Sequence, residues 1–436
     1  MKANRFRYQV AQLFRGQVLY ALAQFLLLAL LSRFGDNSES GKYVLALATT
    51  APIFLFLDLD LRTVRSTDQK NPEAFQSYFG LRLWCLFLAA FLSLSAGFLF
   101  FRSSLAVFIV VTIFRIGDSL SNLAYGGLQR MAHTELVGKS LTIKGLITIP
   151  LVLLVAWISG GSAVLVGVGM ATVSILIAIF RDLPNAFALN QPDTRLSLQL
   201  LPIALTDFPA HIRITKRALP LGIDSLLSSL ILNIPKYYVH AIMGMASLGV
   251  FGLLMQLAYS VQLLIGAVGH TGVAPLAELK ANGERERFWK LLSKMSLTSL
   301  LVGILAAIGG TLVIPKTFAF LLGAEYDQPL LVMLLLIASC LTGTQRTISR
   351  ATQATGNYLA YMIFDVLIFL GSLSMSNLLI APLGLVGAAG ALVVAFGIGL
   401  LATLIHTHYL LWPKNQHIDF GTMVSGQGDD SDKVNT

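Results

Sequence analysis

The segment RDLPNAFALNQPDTRLSLQLLPIALTDFPAHIRITKR, residues 181–217, is the longest polar joint in a chain that is otherwise a succession of apolar runs. It is rich in proline and carries basic residues at both ends. On either side of it, the apolar runs are about 20 residues long, the length that an α-helix needs to cross the hydrocarbon core of a membrane. We therefore interpret residues 181–217 as a linker between two halves of a membrane protein.

Twelve apolar runs are recognisable, six before the linker and six after it. They lie near 12–33, 43–61, 80–101, 104–125, 140–159, 162–180, 218–242, 247–270, 292–314, 328–348, 358–381 and 383–411. The chain is 55% hydrophobic and 12% charged, with a mean hydropathy of +0.73, whereas soluble domains are about 25% charged. The predicted fold class is an all-α integral membrane protein of about twelve transmembrane helices in two six-helix lobes. The lobes cover residues 1–180 and 218–412, and residues 413–436 form a disordered cytoplasmic tail.

The distribution of basic residues predicts the orientation of these helices, because short cytoplasmic loops retain Lys and Arg. With a cytoplasmic N-terminus, most basic residues, including Arg82 and Lys144, fall on the cytoplasmic side. The opposite side keeps only Arg33, Lys42, Arg102 and Lys316. This asymmetry predicts that both termini are cytoplasmic. It also accounts for the net charge of +9 without a nucleic-acid partner, since excess basic residues near a membrane attract anionic lipid headgroups.

Three stretches resemble polysaccharide flippases of the Wzx type. They are SRFGDNSESGKYVLALATTAPIFLFLDLDLR (32–62), LAYGGLQRMAHTELVGKSLTIKG (123–145) and LPLGIDSLLSSLILNIPKYYVHAIMGMASLGVFGLLMQ (219–256). These flippases belong to the multidrug/oligosaccharidyl-lipid/polysaccharide (MOP) exporter superfamily, together with the multidrug and toxic compound extruders (MATE) and the lipid II flippases. The chain departs from the Wzx pattern at Lys236, where relatives often have Arg, and Lys offers a phosphate only a point charge.

The resemblance implies a MATE-like fold and a flippase in the bacterial inner membrane. Its cargo would be an undecaprenyl-pyrophosphate-linked oligosaccharide, moved from the cytoplasmic to the outer leaflet by alternating access for O-antigen, lipopolysaccharide or another surface polysaccharide. The implied partners are this lipid-linked oligosaccharide, membrane lipids, and polysaccharide polymerase and chain-length regulator proteins.

Arg115 is the leading candidate for a cation that binds the pyrophosphate. It lies about eleven residues into its apolar run, which places it roughly 16 Å deep at a rise of 1.5 Å per residue. A charged side chain at that depth costs at least about 2.5 kcal/mol, so it should face a cavity or a partner. Asp118 follows at i+3, on the same helix face. We interpret Asp118 either as a structural ion-pair partner of Arg115 or as a further member of the binding site.

Four other basic side chains are candidates for cargo binding, each with a structural alternative. Lys236 can instead extend to the outer interface, and the remaining three can be topology residues near the cytoplasmic ends of helices. The three are Arg346, Arg350 and Arg15.

Among the acidic residues, Asp224 and Asp365 are candidates for coupling, because a carboxylate that is protonated on one side of the membrane and ionised on the other can couple a proton gradient to transport. Asp58 is expected to end the second helix at the cytoplasmic surface.

Other classes of function find less support in the sequence. The chain has no GxxxxGK[ST], HExxH or paired CxxC motif, so we expect neither an enzyme nor a catalytic residue, cofactor or metal site. A multidrug exporter of the same fold is one alternative, but a cavity for cationic drugs should be acidic, and the first apolar run has no carboxylate between Gln12 and Leu31. A membrane polysaccharide polymerase is another, disfavoured because no large outer loop is present.

Overall fold

A computed structural model describes residues 2–68, 73–190, 204–270, 273–354 and 358–409. In the first half the helices are α1 (Lys2–Phe34), α2 (Asn37–Asp58), α3 (Leu61–Thr67), α4 (Phe75–Phe100), α5 (Leu105–Arg130), α6 (Thr134–Ser159) and α7 (Ala163–Ile177). A π-helical turn, Ala178–Asp182, carries α7 directly into α8 (Leu183–Asn190). The predicted tail, residues 413–436, lies outside the described residues.

The second half contains α9 (Phe208–His270), α10 (Val273–Ala281), α11 (Arg285–Leu322), α12 (Pro329–Ala354) and α13 (Tyr358–Tyr409). The 63 residues of α9 would extend about 95 Å as one straight helix, three times the hydrocarbon thickness. Instead, Gly244 interrupts α9 with a φ of 84°, and Gly384 interrupts α13 with a φ of 59°. Positive φ is readily available to glycine. Each of these helices therefore comprises two membrane-crossing arms.

The described residues thus contain ten long apolar helices, of which α9 and α13 each cross twice. This confirms the predicted fold class of about twelve transmembrane segments. The sequence predicted the two arms of each helix separately, near 218–242 and 247–270 for α9 and near 358–381 and 383–411 for α13. The predicted linker, residues 181–217, is helical at both ends, where α8 and the start of α9 lie, and residues 191–203 lie outside the described part of the chain.

Successive crossings place the helix connections alternately at two ends of the bundle. We call the end that carries α3, residues 131–133 and residues 282–284 the basic end. The other end, which carries residues 35–36, 101–104 and 160–162, the turns at Gly244 and Gly384, and residues 323–328, is the short-loop end. Extensive packing joins α1 to α6 and α2 to α9. The N half (α1–α8) and the C half (α9–α13) therefore meet mainly along α2 and α9.

The helices of the N half approach closely through small residues. A side chain at Gly138 of α6 would collide with the backbone of Gln12 and Leu13 in α1. Small residues at such crossings let membrane helices pack backbone to backbone.

Two basic residues that the sequence placed on the cytoplasmic side are instead buried inside the N half. Arg82 of α4 pairs with Asp58, which also accepts a hydrogen bond from Ser119. Lys144 of α6 is completely buried. The prediction that Asp58 ends the second helix is confirmed, but the prediction that it lies at the surface is wrong. The chain turns sharply at Leu59, which has a φ of 52°, and this turn leaves the carboxylate facing α4 and α5.

Candidate functional site

A cavity of about 460 Å³ lies between the two halves of the protein. This volume is in the range of small-molecule binding sites. On the N-half side the lining is mostly apolar, with Leu27, Leu28, Leu47, Ala51, Leu55, Phe114 and Met170. On the C-half side it is mostly polar, with Asp224, Ser225, Ser228, Ser229, Asn233, Lys236, Gln256, Tyr259 and Arg346. The two walls therefore suit different parts of an amphipathic ligand.

The polar wall follows from the spacing of small polar residues along the first arm of α9. Ser228 follows Asp224 by four residues, and Asn233 follows Ser229 by four, so each pair lies on the same side of the helix. Asn233 donates from Nδ2 to the carbonyl oxygen of Ser229 over 2.9 Å. Its Oδ1 accepts a hydrogen bond from Lys236 Nζ, also over 2.9 Å. The polar wall therefore presents hydroxyl, amide and ammonium groups at membrane depth.

Arg115 lines the opposite wall, as the sequence predicted from its depth. Its Nη2 donates to the carbonyl oxygen of Leu47 over 3.3 Å, while the buried Nε has no hydrogen-bond partner among the described residues. Lys236 is close enough for electrostatic repulsion between the two cations. Arg115 and Lys236 thus bring two positive charges, one from each half, into one cavity with few anions, an arrangement that favours an anionic ligand.

Asp118 does not form an ion pair with Arg115 within 4 Å in the described residues. Instead, its Oδ1 accepts a hydrogen bond from the Tyr20 hydroxyl over 2.9 Å and lies 3.5 Å from Lys144 Nζ. Asp118 is not among the residues that line the cavity. The expectation of an Arg115–Asp118 pair came from their i, i+3 spacing, but a buried Lys on the neighbouring helix competes for the carboxylate.

The predicted coupling residues lie beside Arg346. Asp224 faces the cavity, and one of its buried carboxylate oxygens has no hydrogen-bond partner among the described residues. Asp365 lies behind it on α13 and accepts a hydrogen bond from Ser228 over 3.1 Å. The two carboxyl groups interact with each other, and Arg346 attracts both. The structure therefore brings Asp224, Asp365 and Arg346 together in one cluster.

The other two predicted cargo residues are Arg15 and Arg350. Arg15 is solvent-exposed on α1 and does not line the cavity. Arg350 belongs to α12, but its side chain lies outside the part of the structure that is described.

Sequence reasoning also missed two features of the site. The serine face of α9 was visible as repeated small polar residues inside an apolar run, DSLLSSLILN. Lys144 was assigned to topology, although it lies well inside α6. Among the described residues, no group of three or more His, Cys, Asp or Glu side chains is arranged to hold a metal ion.

The two halves are joined firmly at the short-loop end. Tyr326, which is fully buried, donates to Ser32 Oγ over 2.9 Å and lies 2.8 Å from Asn37 Oδ1. Asn37 in turn donates to Glu325. Nearby, the Tyr237 hydroxyl of α9 donates to the carbonyl oxygen of Ala48 in α2 over 2.7 Å. These contacts tie residues 323–328 and α9 to the N half above the cavity.

The helix count, the two halves and the cavity between them define a multi-pass membrane protein. The fold is shared with solved MOP superfamily transporters. The lipid II flippase MurJ, in an inward closed conformation, matches with a TM-score of 0.69 at 13% identity, covering 90% of this chain and 87% of that one. An inward-facing multidrug resistance MATE family transporter of the MOP superfamily matches with a TM-score of 0.66 at 16% identity, covering 91% and 96%.

A sequence relative adds to this structural likeness. The capsular polysaccharide biosynthesis protein CapF of Staphylococcus aureus is 25% identical over 399 residues, which cover 89% of this chain and 96% of CapF. No family model matches the chain. Together, the relative and the two structures confirm the predicted resemblance to the MOP exporter superfamily.

Proposed function

We propose that this protein is a flippase for undecaprenyl-pyrophosphate-linked oligosaccharides. The observation that carries the proposal is the cavity into which Arg115 and Lys236 project from opposite halves. A pyrophosphate group is an anion that arginine and lysine bind by charge-assisted hydrogen bonds. The similarity to a capsular polysaccharide biosynthesis protein and the MurJ-like fold support a lipid-linked sugar as the cargo.

The two walls of the cavity suggest how the cargo is oriented. Sugar hydroxyls both donate and accept hydrogen bonds, so they match the serine and amide groups on α9. The pyrophosphate lies between Arg115 and Lys236, with Arg346 at the side of the polar wall, and the polyprenyl chain leaves toward lipid. Arg15 and Arg350 stay in the proposal as further residues that contact the cargo.

Transport then requires the two halves to rock about the cavity, opening it to one side of the membrane and then to the other. In the proposed orientation, the basic end and both termini face the cytoplasm of a bacterium and the short-loop end faces outward across the inner membrane. Residues 1–180 and 218–412 act as the two moving lobes around the linker at 181–217. Polymerase and chain-length regulator proteins receive the flipped oligosaccharide.

A multidrug exporter of the same fold is the second candidate, supported by the similarity to MATE transporters. The charge of the cavity favours the flippase, because Arg115, Lys236 and Arg346 repel cationic drugs. Moving the lipid-linked oligosaccharide across the membrane makes and breaks no covalent bond, so the proposed activity is transport rather than catalysis.

The test is complementation of a bacterial strain that lacks its own O-antigen flippase. We expect wild-type protein to restore surface polysaccharide and Arg115→Ala to abolish it, because the cavity loses a cation at membrane depth. Arg102→Ala is the matched control, since Arg102 is exposed at the short-loop end and donates within its own half to Phe98. Membrane levels of each variant are compared on immunoblots.

Two results would contradict the proposal. Full polysaccharide with Arg115→Ala at normal protein levels would remove Arg115 from the cargo site. Failure of wild-type protein to complement any of several flippase-deficient strains, combined with restored resistance in a drug-sensitive strain, would favour the exporter. The variant Arg115→Lys separates charge from geometry, since Lys lacks the planar fork of Arg.

A further inference from the structure

Lys144 is buried one helix away from the cavity and has no direct contact with it. None of its surface is exposed. Its Nζ donates to Ser121 Oγ over 2.8 Å and to Asp118 Oδ1 over 3.5 Å, and it lies 4.0 Å from Asp182 Oδ2. A buried cation at this depth is costly, and such residues in membrane helices commonly have functional roles.

Asp118 is the residue through which Lys144 can affect the cavity. Asp118 and Arg115 are one turn apart on α5, a spacing at which an acidic and a basic side chain can pair. Pairing would neutralise the guanidinium that faces the cavity. In the structure, Asp118 Oδ1 is instead occupied by Lys144 and by the Tyr20 hydroxyl. Arg115 keeps its side chain in the cavity and donates a hydrogen bond to the carbonyl oxygen of Leu47.

The rings around Lys144 fix its position. The Nζ atom lies 5.8 Å from the centre of the Tyr20 ring and 5.7 Å from that of Tyr125, distances at which aromatic faces attract a cation. Asp182 Oδ2 has no hydrogen-bond partner among the described residues. The short polar contacts of the ammonium therefore go to Ser121 and Asp118.

We propose that Lys144 is a positioning residue that, with Tyr20, holds Asp118 away from Arg115. Arg115 thereby has no direct ion pair with Asp118, and its guanidinium stays available to the phosphate groups of the cargo. This inference rests on the proposed function, because it concerns the anion that Arg115 receives. It assigns Lys144 and Tyr20 an effect on affinity although neither one lines the cavity.

The experiment measures binding of undecaprenyl pyrophosphate to purified full-length protein, with uncharged undecaprenol as the reference ligand. Lys144→Met should weaken binding of the pyrophosphate lipid about tenfold, the scale of coupling between contacting charges. The double variant Lys144→Met/Asp118→Asn should return affinity to within about threefold of wild type, because residue 118 then has no carboxylate that could pair with Arg115. Lys144→Arg should bind like wild type.

Lys139→Met is the matched control, because Lys139 lies on the same helix but is exposed, and it should leave affinity unchanged. Tyr20→Phe tests the same idea if Lys144→Met does not fold. It removes one hydrogen bond to Asp118 and should weaken binding about threefold, and adding Asp118→Asn should reverse the loss.

Recovery of affinity when Asp118→Asn is added distinguishes a positioning role of Lys144 and Tyr20 from a merely structural one. If Lys144→Met binds like wild type, or if the double variants bind as weakly as Lys144→Met or Tyr20→Phe alone, the inference is overturned. If wild-type protein does not prefer undecaprenyl pyrophosphate to undecaprenol, it is the proposed function that fails, since Arg115 then has no anion to receive.

Discussion

At the scale of single residues, we propose that the cluster of Asp224, Asp365 and Arg346 links cargo movement to a proton gradient. Two carboxyl groups that face each other in a low-dielectric interior favour uptake of a proton, and a neighbouring cation opposes it. Arg346 attracts both carboxylates. When a pyrophosphate draws Arg346 toward the cavity, the carboxyl pair loses its compensating charge. We propose that proton uptake accompanies this exchange.

Replacing Asp365 by Asn removes one of the two carboxyl groups and preserves its size. We expect wild-type protein in liposomes to move a fluorescent lipid-linked oligosaccharide faster under an imposed pH gradient, and Asp365→Asn to show equal rates with and without the gradient. Glu286→Gln is the control, because Glu286 is an exposed carboxylate at the start of α11 and its loss should keep the response. A persistent response in Asp365→Asn, or no response in wild type, would contradict proton coupling at this cluster.

At the scale of helices, the contact between α2 and α9 depends on glycine. A Cβ atom at Gly41 would collide with the backbone carbonyl group of Met245, at the start of the second arm of α9. Backbone cannot move aside as a flexible side chain can. Small residues therefore permit this inter-lobe helix crossing, as at other close crossings in membranes.

Gly41→Ala should lower the melting temperature of the detergent-solubilised protein. The gain in helix propensity, about 1 kcal/mol for alanine over glycine, is smaller than the cost of separating two packed helices. Gly309→Ala is the matched control, because Gly309 lies inside α11 and no atom lies within 4 Å of a Cβ placed there. Alanine at position 309 should raise the melting temperature slightly. If Gly41→Ala also raises the melting temperature, the close approach of α2 and α9 does not depend on glycine at position 41.

At the scale of the whole molecule, Tyr326 holds the short-loop end closed. Its hydroxyl lies within hydrogen-bond distance of Ser32 and Asn37, so residues 323–328 of the C half are tied to α1 and α2 of the N half. A hydrogen bond contributes about 1 kcal/mol. Breaking these contacts is one of the costs of opening the cavity at the short-loop end.

Tyr326→Phe removes the hydroxyl and should shift the population several-fold toward forms open at the short-loop end, as a loss of about 1–2 kcal/mol implies. The measurement is labelling of a cysteine at the cavity position Leu28 by a membrane-impermeant maleimide added outside, in a variant without Cys85 and Cys340. Labelling should be faster with Tyr326→Phe. Tyr8→Phe, at an exposed position on α1, should leave the labelling rate unchanged. If the parent protein, Tyr326→Phe and Tyr8→Phe are all labelled at the same rate, Tyr326 does not hold the short-loop end closed.

The sequence was sufficient for the fold class and for much of the cavity. The apolar runs alone predicted the crossings, because a helix in lipid must satisfy its backbone internally and must be about 20 residues long. The high cost of burying a charge pointed to Arg115, Lys236 and Asp224, which all line the cavity. These inferences succeed because each depends on one helix and its depth, which a linear sequence records.

Contacts between side chains of different helices could not be predicted from the sequence. The i, i+3 spacing of Arg115 and Asp118 allowed an ion pair or a shared role in the binding site, whereas the structure places Asp118 beside Lys144, on another helix. Asp58 ends its helix as expected but faces Arg82 of α4. Spacing along one helix fixes which side chains are neighbours there, while the partner of a buried charge depends on which helix packs beside it. The sequence by itself therefore determined the membrane fold and which of its helices carry Arg115, Lys236 and Asp224, and only the tertiary structure decided which charges neutralise one another and which remain in the cavity.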